Sequence, residues 1–293
     1  MRVFMTGATG YIGSHVAAEL RRRGHDVVGL ARDESASEKL LRADIHPVMG
    51  DMEDTPVLRE MVGDADAVVH CGFARGPRAA ELEGAALDVM LDAIGSDHQA
   101  FIYTSGIWVY GSRGDAVVAE DAPLAPTPIV AWRPSHERRV LGAAAHRLRT
   151  IVIRPAMVYG EGGGIVAGIV EQGRRGTVQV VGDGTNRWSC VRVDALAELY
   201  VLALERAERG SINNATRGAA VPYVEIARAA ARAAGGDGSI EHLTLDEARG
   251  RLGLLADALA VDLQVSSDRA TRELGWQPHR PTILEELAAT PVV

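Results

Sequence analysis

The chain has 293 residues, of which 47% are hydrophobic, so it can bury the core of one large domain or of two smaller ones. Its net charge of −8 disfavours a nucleic-acid partner, because nucleic-acid-binding proteins carry a basic surface. The two cysteines, Cys71 and Cys190, lie outside any C-x-x-C motif, so neither a disulfide framework nor a zinc site is expected. No histidine pair has the spacing of metal ligands, and we expect no bound metal.

No apolar run in the sequence reaches the length that a membrane-spanning helix needs. The first residues form a strand pattern and not the charged and apolar regions of a secretory signal. We therefore expect a cytoplasmic protein that has no membrane partner.

The first half of the sequence alternates short apolar runs with amphipathic segments, as in a parallel sheet covered by helices. Val16, Ala17 and Leu20 share one face of a helix over 13–23, which Gly24 ends. A polar helix is predicted over about 35–42. The predicted strands are 3–5, 27–30, 46–49, 67–70, 100–104 and 151–154.

The pattern changes after Pro155. A glycine-rich loop covers 160–164, a strand is predicted over 178–181 and a helix over 194–207. The rest is mostly helical, with a strand near 239–243.

We expect an α/β fold, a Rossmann-type doubly wound parallel sheet with a smaller C-terminal α/β substrate lobe. The dinucleotide-binding domain would comprise 1–160 plus about 188–216. The substrate-binding lobe would comprise about 161–187 plus 217–293, with the ligand between the lobes.

A phosphate-binding loop is predicted where the first strand passes into the first helix. Gly7 makes the tight turn, Gly10 lets the backbone approach a pyrophosphate, and Gly13 lets helix and strand pack closely. The helix N terminus directs unpaired N–H groups at the phosphates. The spacing is G-x-x-G-x-x-G, and the order of strand, loop, helix and strand predicts a dinucleotide site. Its predicted contacts also include Thr9, Tyr11 and Ile12.

The end of the second strand selects the cofactor. An acidic residue there binds the ribose 2′-hydroxyl of NAD, whereas an arginine accommodates the 2′-phosphate of NADP. This chain has Arg32, a bidentate phosphate partner, and Asp33 lies one residue beyond the usual acidic position. The sequence therefore favours NADP(H) over NAD(H).

These motifs resemble the extended and atypical branches of the short-chain dehydrogenase/reductase superfamily, the NAD-dependent epimerase/dehydratase family. The resemblance covers essentially the whole chain. It implies a doubly wound sheet that binds the dinucleotide and a C-terminal lobe that contacts a small-molecule substrate. It also implies cofactor contacts along the strand ends, namely Asp51, Met52, Cys71, Gly72, Phe73, Thr104, Pro155 and Val158.

The sequence departs from the family at its catalytic residues. The family uses a Tyr-x-x-x-Lys pair and a serine or threonine, and its lysine lowers the pKa of the tyrosine. Counting back from Glu137 puts Arg133 at the lysine position and Ile129 at the tyrosine position. Gly106 occupies the usual serine position, with Ser105 one residue before it. Arg133 could still hold the nicotinamide ribose.

A reductase with this sequence needs another proton source. Candidates are water relayed by Ser105, the hydroxyls of Tyr110 or Tyr159, and His136. For His136 a solvated histidine near a helix start, capped by Ser135, is the alternative.

The leading hypothesis is an NADP(H)-dependent oxidoreductase that acts on a small carbonyl or alcohol. Alternatives on the same fold are a nucleotide-sugar epimerase or dehydratase, a non-redox isomerase, cyclase or lyase, and a non-catalytic NADP(H) sensor. Arg187, Arg192 and Arg217 could meet the diphosphate of a nucleotide sugar. A homodimer could form through the apolar stripes of 85–94 and 132–145, which core packing explains equally well.

Overall fold

The computed structural model describes residues 1–74, 76–95, 99–144 and 148–289. The strands are β1 (Arg2–Thr6), β2 (Asp26–Ala31), β3 (His46–Met49), β4 (Ala67–His70), β5 (Ala100–Thr104), β6 (Val117–Val118), β7 (Arg149–Pro155), β8 (Met157–Tyr159), β9 (Val178–Val181), β10 (Arg187–Trp188), β11 (Cys190–Arg192), β12 (Ser211–Ala215), β13 (Val221–Pro222), β14 (Ile240–Leu243) and β15 (Gln264–Val265). The helices are α1 (Tyr11–Arg22), α2 (Glu34–Arg42), α3 (Thr55–Gly63), α4 (Ala79–Ala93), α5 (Arg133–Ala143), α6 (Gly164–Arg174), α7 (Val193–Arg206), α8 (Tyr223–Ala233), α9 (Leu245–Leu252), α10 (Leu255–Leu259) and α11 (Ile283–Ala289).

Within the described residues, seven strands form one parallel sheet in the order β12-β7-β5-β4-β1-β2-β3. The strand order reverses between β1 and β4, which makes their carboxyl ends the topological switch point where such sheets bind ligands. The fold is therefore the expected Rossmann-type doubly wound α/β sheet.

Helices cover both faces of this sheet. Val3 and Met5 of β1 point into one core with the apolar faces of α1 and α7, whereas Phe4 points into another core with α3 and α4. The same alternation places Ile102 and Tyr103 of β5 on opposite faces. Because both faces are covered, the strands are apolar along their whole length and not only at every second residue.

A second layer of structure packs against a core of its own. Helices α6, α8 and α11 and the parallel pair β9–β14 surround this core. The chain then returns to the first core. The strand β15 pairs with β6, and Nε1 of the buried Trp276 donates to the carbonyl oxygen of Ala195 in α7 at 2.9 Å. The segment 261–276 thus packs with the sheet, although the sequence division assigned it to the substrate lobe.

The elements predicted in the first half agree with the observed ones to within two residues at each end. Several observed elements were not predicted, among them the helices α3 and α6 and the edge strand β12. The apolar residues Leu87, Met90 and Val140 of the two candidate dimer stripes lie in a core of this chain. Residue 145, at the end of the second stripe, lies outside the described residues. Among the described residues, no helix combines the length and apolar character needed to cross a membrane.

Candidate functional site

The glycine loop between β1 and α1 lies directly against the neighbouring strand. Gly7 has φ +71°, and a Cβ there would lie 2.5 Å from the carbonyl oxygen of Cys71. A Cβ on Gly13 would lie 2.1 Å from the carbonyl oxygen of Gly7. Gly10 precedes α1 in an extended conformation and supplies no side-chain cap, so the first turn of the helix can present its N–H groups to a ligand. Thr9 is exposed on this loop.

A buried hydrogen-bond set beneath the loop fixes β1 to the end of β4. The Thr6 hydroxyl lies 2.6 Å from Nδ1 of His70 and accepts a hydrogen bond from the backbone N–H of Gly72 at 3.1 Å. Burial lowers the pKa of His70 to about 4, so the imidazole is neutral. His70 therefore has a structural role under the crevice.

At the end of β2 the acidic and basic residues have separate roles. The Asp33 carboxylate accepts a hydrogen bond from the backbone N–H of Ala36 at 2.8 Å and caps α2. The side chain of Arg32 is 82% exposed, and its Nε lies 3.6 Å from Asp33. The carboxylate thus lies in the helix cap, while the guanidinium extends into solvent at the rim of the crevice.

The next strand ends line the crevice. Asp51 is exposed and accepts a hydrogen bond from the N–H of Glu53 at 2.8 Å. Gly72 lies against Met52, because a Cβ on this glycine would lie 2.9 Å from the Met52 sulfur. Met52 and Gly72 are thereby next to the loop of Gly7.

A second cluster forms where β4 and β5 end. The Thr104 hydroxyl lies 2.8 Å from the hydroxyl of Tyr200 in α7 and 3.3 Å from the sulfur of Cys71. Burial raises the pKa of Cys71 to about 11, so this thiol is not a nucleophile at neutral pH. Ser105 continues the β5 ladder, and its Oγ is buried without a hydrogen-bond partner among the described residues. No described residue therefore uses its donor or its acceptor.

Arg133, at the position of the family's lysine, lies beside this cluster. Its Nη1 donates to the carbonyl oxygen of Thr104 at 2.8 Å. Its guanidinium carbon lies 4.9 Å from the ring centroid of Trp132 and 5.9 Å from that of Phe73. Two aromatic rings thus hold a permanently charged group at the carboxyl end of β5. Ile129 is half-buried in the short turn 128–130 that precedes α5.

Tyr110 belongs to a buried network behind the crevice. Its hydroxyl donates to Oδ1 of Asn214 at 2.8 Å and accepts from Arg154 at 2.6 Å. Arg154 also forms a two-bond ion pair with Glu137, at 2.9 and 2.5 Å. Burial raises the pKa of Tyr110, whose side chain is fully buried. These contacts make it a structural residue, contrary to its selection as a proton donor.

Tyr159 is also held by structural contacts. Its hydroxyl donates to the carbonyl of Pro281 at 2.6 Å, its ring packs in the second core, and burial raises its pKa. Val158 is the neighbour of Tyr159 in β8. The backbone N–H of Ala156, the residue after Pro155, donates to the carbonyl oxygen of Ala215 in the edge strand β12. Pro155 and Val158 thus lie at the carboxyl end of β7. Gly106 lies opposite, since a Cβ there would be 3.9 Å from the Pro155 carbonyl oxygen.

Tyr11 connects the phosphate loop with the second layer. Its hydroxyl donates to the carbonyl of Gly160 at 2.7 Å, and its ring lies on the turn 160–164. Ile12, the next residue of α1, packs partly buried against the first core. The two predicted contacts thus lie at the start of α1, one of them in contact with the second lobe.

His136 is buried and not solvated. Its ring centroid lies 4.8 Å from that of Trp132, and its Nδ1 lies 3.9 Å from a carboxyl oxygen of the buried Glu83. Its Nε2 lies over Gly84 of α4, where a Cβ would come within 3.1 Å. The ring nitrogens thus face α4 and not the crevice. Ser135, expected as a cap, donates instead to the Trp132 carbonyl.

The three arginines of the second half are held by protein groups. Arg187 forms ion pairs with Asp262 and Asp115 at 2.7 and 2.9 Å. Arg192 contacts three carboxylates, those of Glu161, Asp194 and Glu286. Arg217 donates to the carbonyl of Pro278 at 3.0 Å. This arrangement does not favour their use for a nucleotide-sugar diphosphate.

The structure thus brings together most of the predicted cofactor contacts at the carboxyl ends of β1, β2, β4, β5 and β7. Of the predicted catalytic residues, Ser105 and Arg133 lie in the same crevice, whereas Tyr110, Tyr159 and His136 have other partners. Tyr200 was missed, because a tyrosine at an apolar position of a helix is indistinguishable in sequence from a core residue.

Comparison with known proteins agrees with this architecture. A sequence model of the NAD dependent epimerase/dehydratase family matches residues 3–216, and the chain belongs to this family. It is 31% identical over 297 residues to an uncharacterized protein of Schizosaccharomyces pombe, covering 99% of both chains. It is 28% identical over 228 residues to a 2-alkyl-3-oxoalkanoate reductase of Stenotrophomonas maltophilia, covering 72% of this chain and 67% of that protein.

Solved structures have the same fold. The UDP-glucose 4-epimerase of Thermus thermophilus, solved in complex with NAD, superposes with a TM-score of 0.81. The superposition covers 99% of this chain and 97% of that chain at 21% sequence identity. At this level of identity the comparison establishes the architecture, and the chemistry has to be argued from the residues of the site.

Proposed function

We propose that this protein is an NADP(H)-dependent oxidoreductase that acts on a small carbonyl compound or the corresponding alcohol. The observation that carries the proposal is the division of roles at the end of β2. Asp33 is committed to the cap of α2, and Arg32, whose Nε lies 3.6 Å from Asp33, extends from the rim with its side chain 82% exposed. A carboxylate aimed into the crevice would repel a 2′-phosphate, whereas an exposed guanidinium can pair with it in a bidentate manner.

The residues of the crevice fit a dinucleotide. Gly7 and Gly13 leave no room for side chains, so backbone approaches backbone where the pyrophosphate would lie. The first turn of α1 offers N–H groups, which favour anions. Asp51 and Met52 belong to the segment that the resemblance assigns to adenine contacts.

The reactive half of the crevice also fits. Bound nicotinamide would supply or accept a hydride, which is chemistry that no side chain here can perform. Arg133 would orient the cofactor ribose and keep a positive charge close to the reacting atoms. The Ser105 hydroxyl, buried and free of described partners, would hydrogen-bond a substrate oxygen. Pro155 and Val158 would close the site from the β7 side.

The relatives support a substrate with an oxo group. The Stenotrophomonas maltophilia protein is a 2-alkyl-3-oxoalkanoate reductase, and a second relative, from Stigmatella aurantiaca, is a ketoreductase that is 26% identical over 307 residues. UDP-glucose 4-epimerases are also among the relatives. Arg187 and Arg192 are already engaged in ion pairs with carboxylates of this chain, which makes a nucleotide sugar the weaker candidate substrate.

One observation favours a second candidate, a cofactor-binding sensor that catalyses no reaction. The tyrosine, lysine and serine positions of the family hold Ile129, Arg133 and Gly106. Such a protein would bind NADPH tightly and consume none with any substrate.

The test is a titration of NADPH and NADH into purified protein, followed by nicotinamide fluorescence. We expect NADPH to bind at least tenfold more tightly than NADH, because ionic hydrogen bonds to the 2′-phosphate contribute about 1.5–3 kcal/mol. The Arg32→Ser variant should lose this preference with little change for NADH. Arg42→Ser, at an exposed position of α2, is the matched control. Equal affinity for both cofactors in the unmodified protein would contradict the proposal.

A further inference from the structure

Among the described residues, the reactive half of the crevice has no tyrosine or histidine in place of the family's proton donor. Hydride addition to an isolated carbonyl gives an alkoxide, which requires a proton at once, and the family's tyrosine position is Ile129 here. The hydroxyls of Tyr110, Tyr159 and Tyr200 are engaged in hydrogen bonds, and burial raises the pKa of each. The imidazole of His136 faces α4. The described side chains therefore offer no tyrosine or histidine that is positioned to protonate an alkoxide.

The crevice does contain a permanent cation. Arg133 has five N–H donors, and one of them is bound to the Thr104 carbonyl. Its Nε is buried without a hydrogen-bond partner in the described part of the chain. A guanidinium cannot give up a proton at neutral pH, but it stabilises an anion strongly where solvent is excluded.

A pair of stacked aromatic rings forms an apolar surface beside this cation. The Phe73 side chain is 55% exposed, which is unusual for an aromatic residue, and its ring lies nearly parallel to that of Trp132, at 20° with centroids 6.4 Å apart. Both rings lie within 6 Å of the Arg133 guanidinium carbon. Such a surface stacks a planar conjugated ligand and places the edge of that ligand near the positive charge.

We propose that the substrate is a planar conjugated carbonyl compound of the enone or quinone type, reduced by conjugate addition of the hydride. This inference rests on the proposed oxidoreductase function. The hydride adds to the conjugated carbon, the π electrons move onto the carbonyl oxygen, and the resulting enolate pairs with Arg133. In a quinone, that carbon afterwards releases a proton to water, and the ring becomes the aromatic hydroquinone. The cofactor is oxidised by two electrons, and the product takes its proton from water.

Delocalisation explains why no acid is needed. A phenol ionises near pKa 10, whereas an oxygen that carries a localised charge, as in hydroxide, has a conjugate acid of pKa about 16. The anion produced by conjugate addition is therefore stable enough to leave the site unprotonated when a cation accompanies it. Phe73 and Trp132 hold the conjugated plane, and Arg133 supplies the charge.

The first test measures binding of an anion without any redox reaction. 4-Nitrophenol, a planar phenol that ionises near neutral pH, is titrated with protein, and the phenolate is followed by its absorbance. We expect the bound phenol to ionise about one pH unit lower than the free phenol, equivalent to a tenfold preference for the phenolate. Arg133→Met should abolish this preference, and Arg133→Lys should keep part of it.

A second variant keeps the test independent of folding. Phe73→Leu changes an exposed side chain, so the variant should fold normally and bind 4-nitrophenolate at least fivefold more weakly. Arg42→Met, far from the crevice on α2, is the matched control and should behave as the unmodified protein. Equal binding of the phenolate by the Arg133→Met or Phe73→Leu protein would overturn the inference.

The second test separates this inference from the proposed function. With NADPH present, the protein is given 1,4-naphthoquinone, benzylideneacetone and 4-phenyl-2-butanone, the saturated analogue of the enone. We expect reduction of the two conjugated compounds, with 4-phenyl-2-butanone as the product from benzylideneacetone. Formation of the allylic alcohol, or equal reduction of the saturated ketone, overturns the inference and leaves the proposed function intact. NADPH binding without turnover of any probe overturns both and favours the sensor.

Discussion

The buried Arg154 lies in β7, next to the edge strand β12, and carries a positive charge. Its side chain and that of Glu137 are 3% and 2% exposed, and two hydrogen bonds join them. Burying an ion pair costs about as much in desolvation as the attraction returns, so the pair is not a large net source of stability. Removing one partner, however, leaves the other charge buried and uncompensated.

We therefore expect Glu137→Gln to lower the free energy of unfolding by roughly 3–5 kcal/mol. Urea unfolding followed by circular dichroism measures this change. Glu81→Gln, which breaks an exposed ion pair with Arg78, is the control and should unfold almost as the unmodified protein does. Similar midpoints for the two variants would show that Arg154 finds another partner or is hydrated.

Single residues also mark the limit of sequence reasoning in the site. The glycines and Arg32 follow the ends of β1 and β2, so local spacing was enough to locate them, whereas Arg133, at the start of α5, was located by counting back from Glu137 in the family's pattern. Tyr110 and His136 could not, because their partners Asn214 and Glu83 are distant in sequence and only the folded chain brings them together. A Val-Tyr-Gly motif locates a tyrosine but not the direction of its hydroxyl.

At the scale of elements, the turn before α6 packs directly on the start of α1. Cβ atoms on Gly163 and Gly164 would lie 2.1 and 3.0 Å from ring carbons of Tyr11, and the hydroxyl of this tyrosine donates to Gly160. The side chain of Tyr11 thus connects the phosphate loop with the second layer. A change in the turn has to displace the tyrosine ring, and with it the first residue of α1.

Gly163→Ala should therefore destabilise the protein by roughly 1–3 kcal/mol and weaken dinucleotide binding, since the new methyl group overpacks the ring. Thermal unfolding and NADPH titration measure the two effects. Gly168→Ala, with nothing within 4 Å of the added Cβ in α6, is the control and should be neutral or slightly stabilising. In a Tyr11→Ala background the Gly163→Ala change should have little further effect. Unchanged binding by Gly163→Ala would show that the ring moves freely.

Six of the seven strands of the large sheet were predictable from the sequence, whereas the strand β12 and, outside the sheet, the helix α6 were not. The strand β12 has the sequence Ser-Ile-Asn-Asn-Ala, with one β-branched apolar residue, and pairing with β7 makes it a strand despite this weak propensity. Helix α6 contains three glycines and begins at one of them. Packing against α8, which Gly173 allows to come close, outweighs the low helix propensity of the glycines.

At the scale of the whole molecule, the neutral histidine beneath the phosphate loop couples stability to pH. Burial lowers the pKa of His70 to about 4, whereas the unfolded chain has a histidine pKa near 6.5. Between these values the unfolded chain binds a proton that the folded chain does not. The stability from this residue is complete above about pH 6.5 and declines as the pH falls toward 4.

The expected loss over this range is on the order of 3 kcal/mol. It is measured by urea unfolding at pH 7 and at pH 4.5 for the unmodified protein and for His70→Gln. The variant has no group that titrates at this position, so its stability should decrease less over the same pH interval. Equal decreases in both proteins would mean that His70 is already charged in the folded state.

Trp276 lies 60 residues beyond the end of the family match, yet it seals α7 against the sheet. Residues 1–216 therefore contain every strand of the large sheet but not the side chains that close its first core. During synthesis, the part of α7 that Trp276 covers stays exposed until residue 276 has left the ribosome. The nascent chain in this interval is an aggregation-prone intermediate and a natural client for chaperones. A gene fragment cut at residue 216 would produce that intermediate permanently.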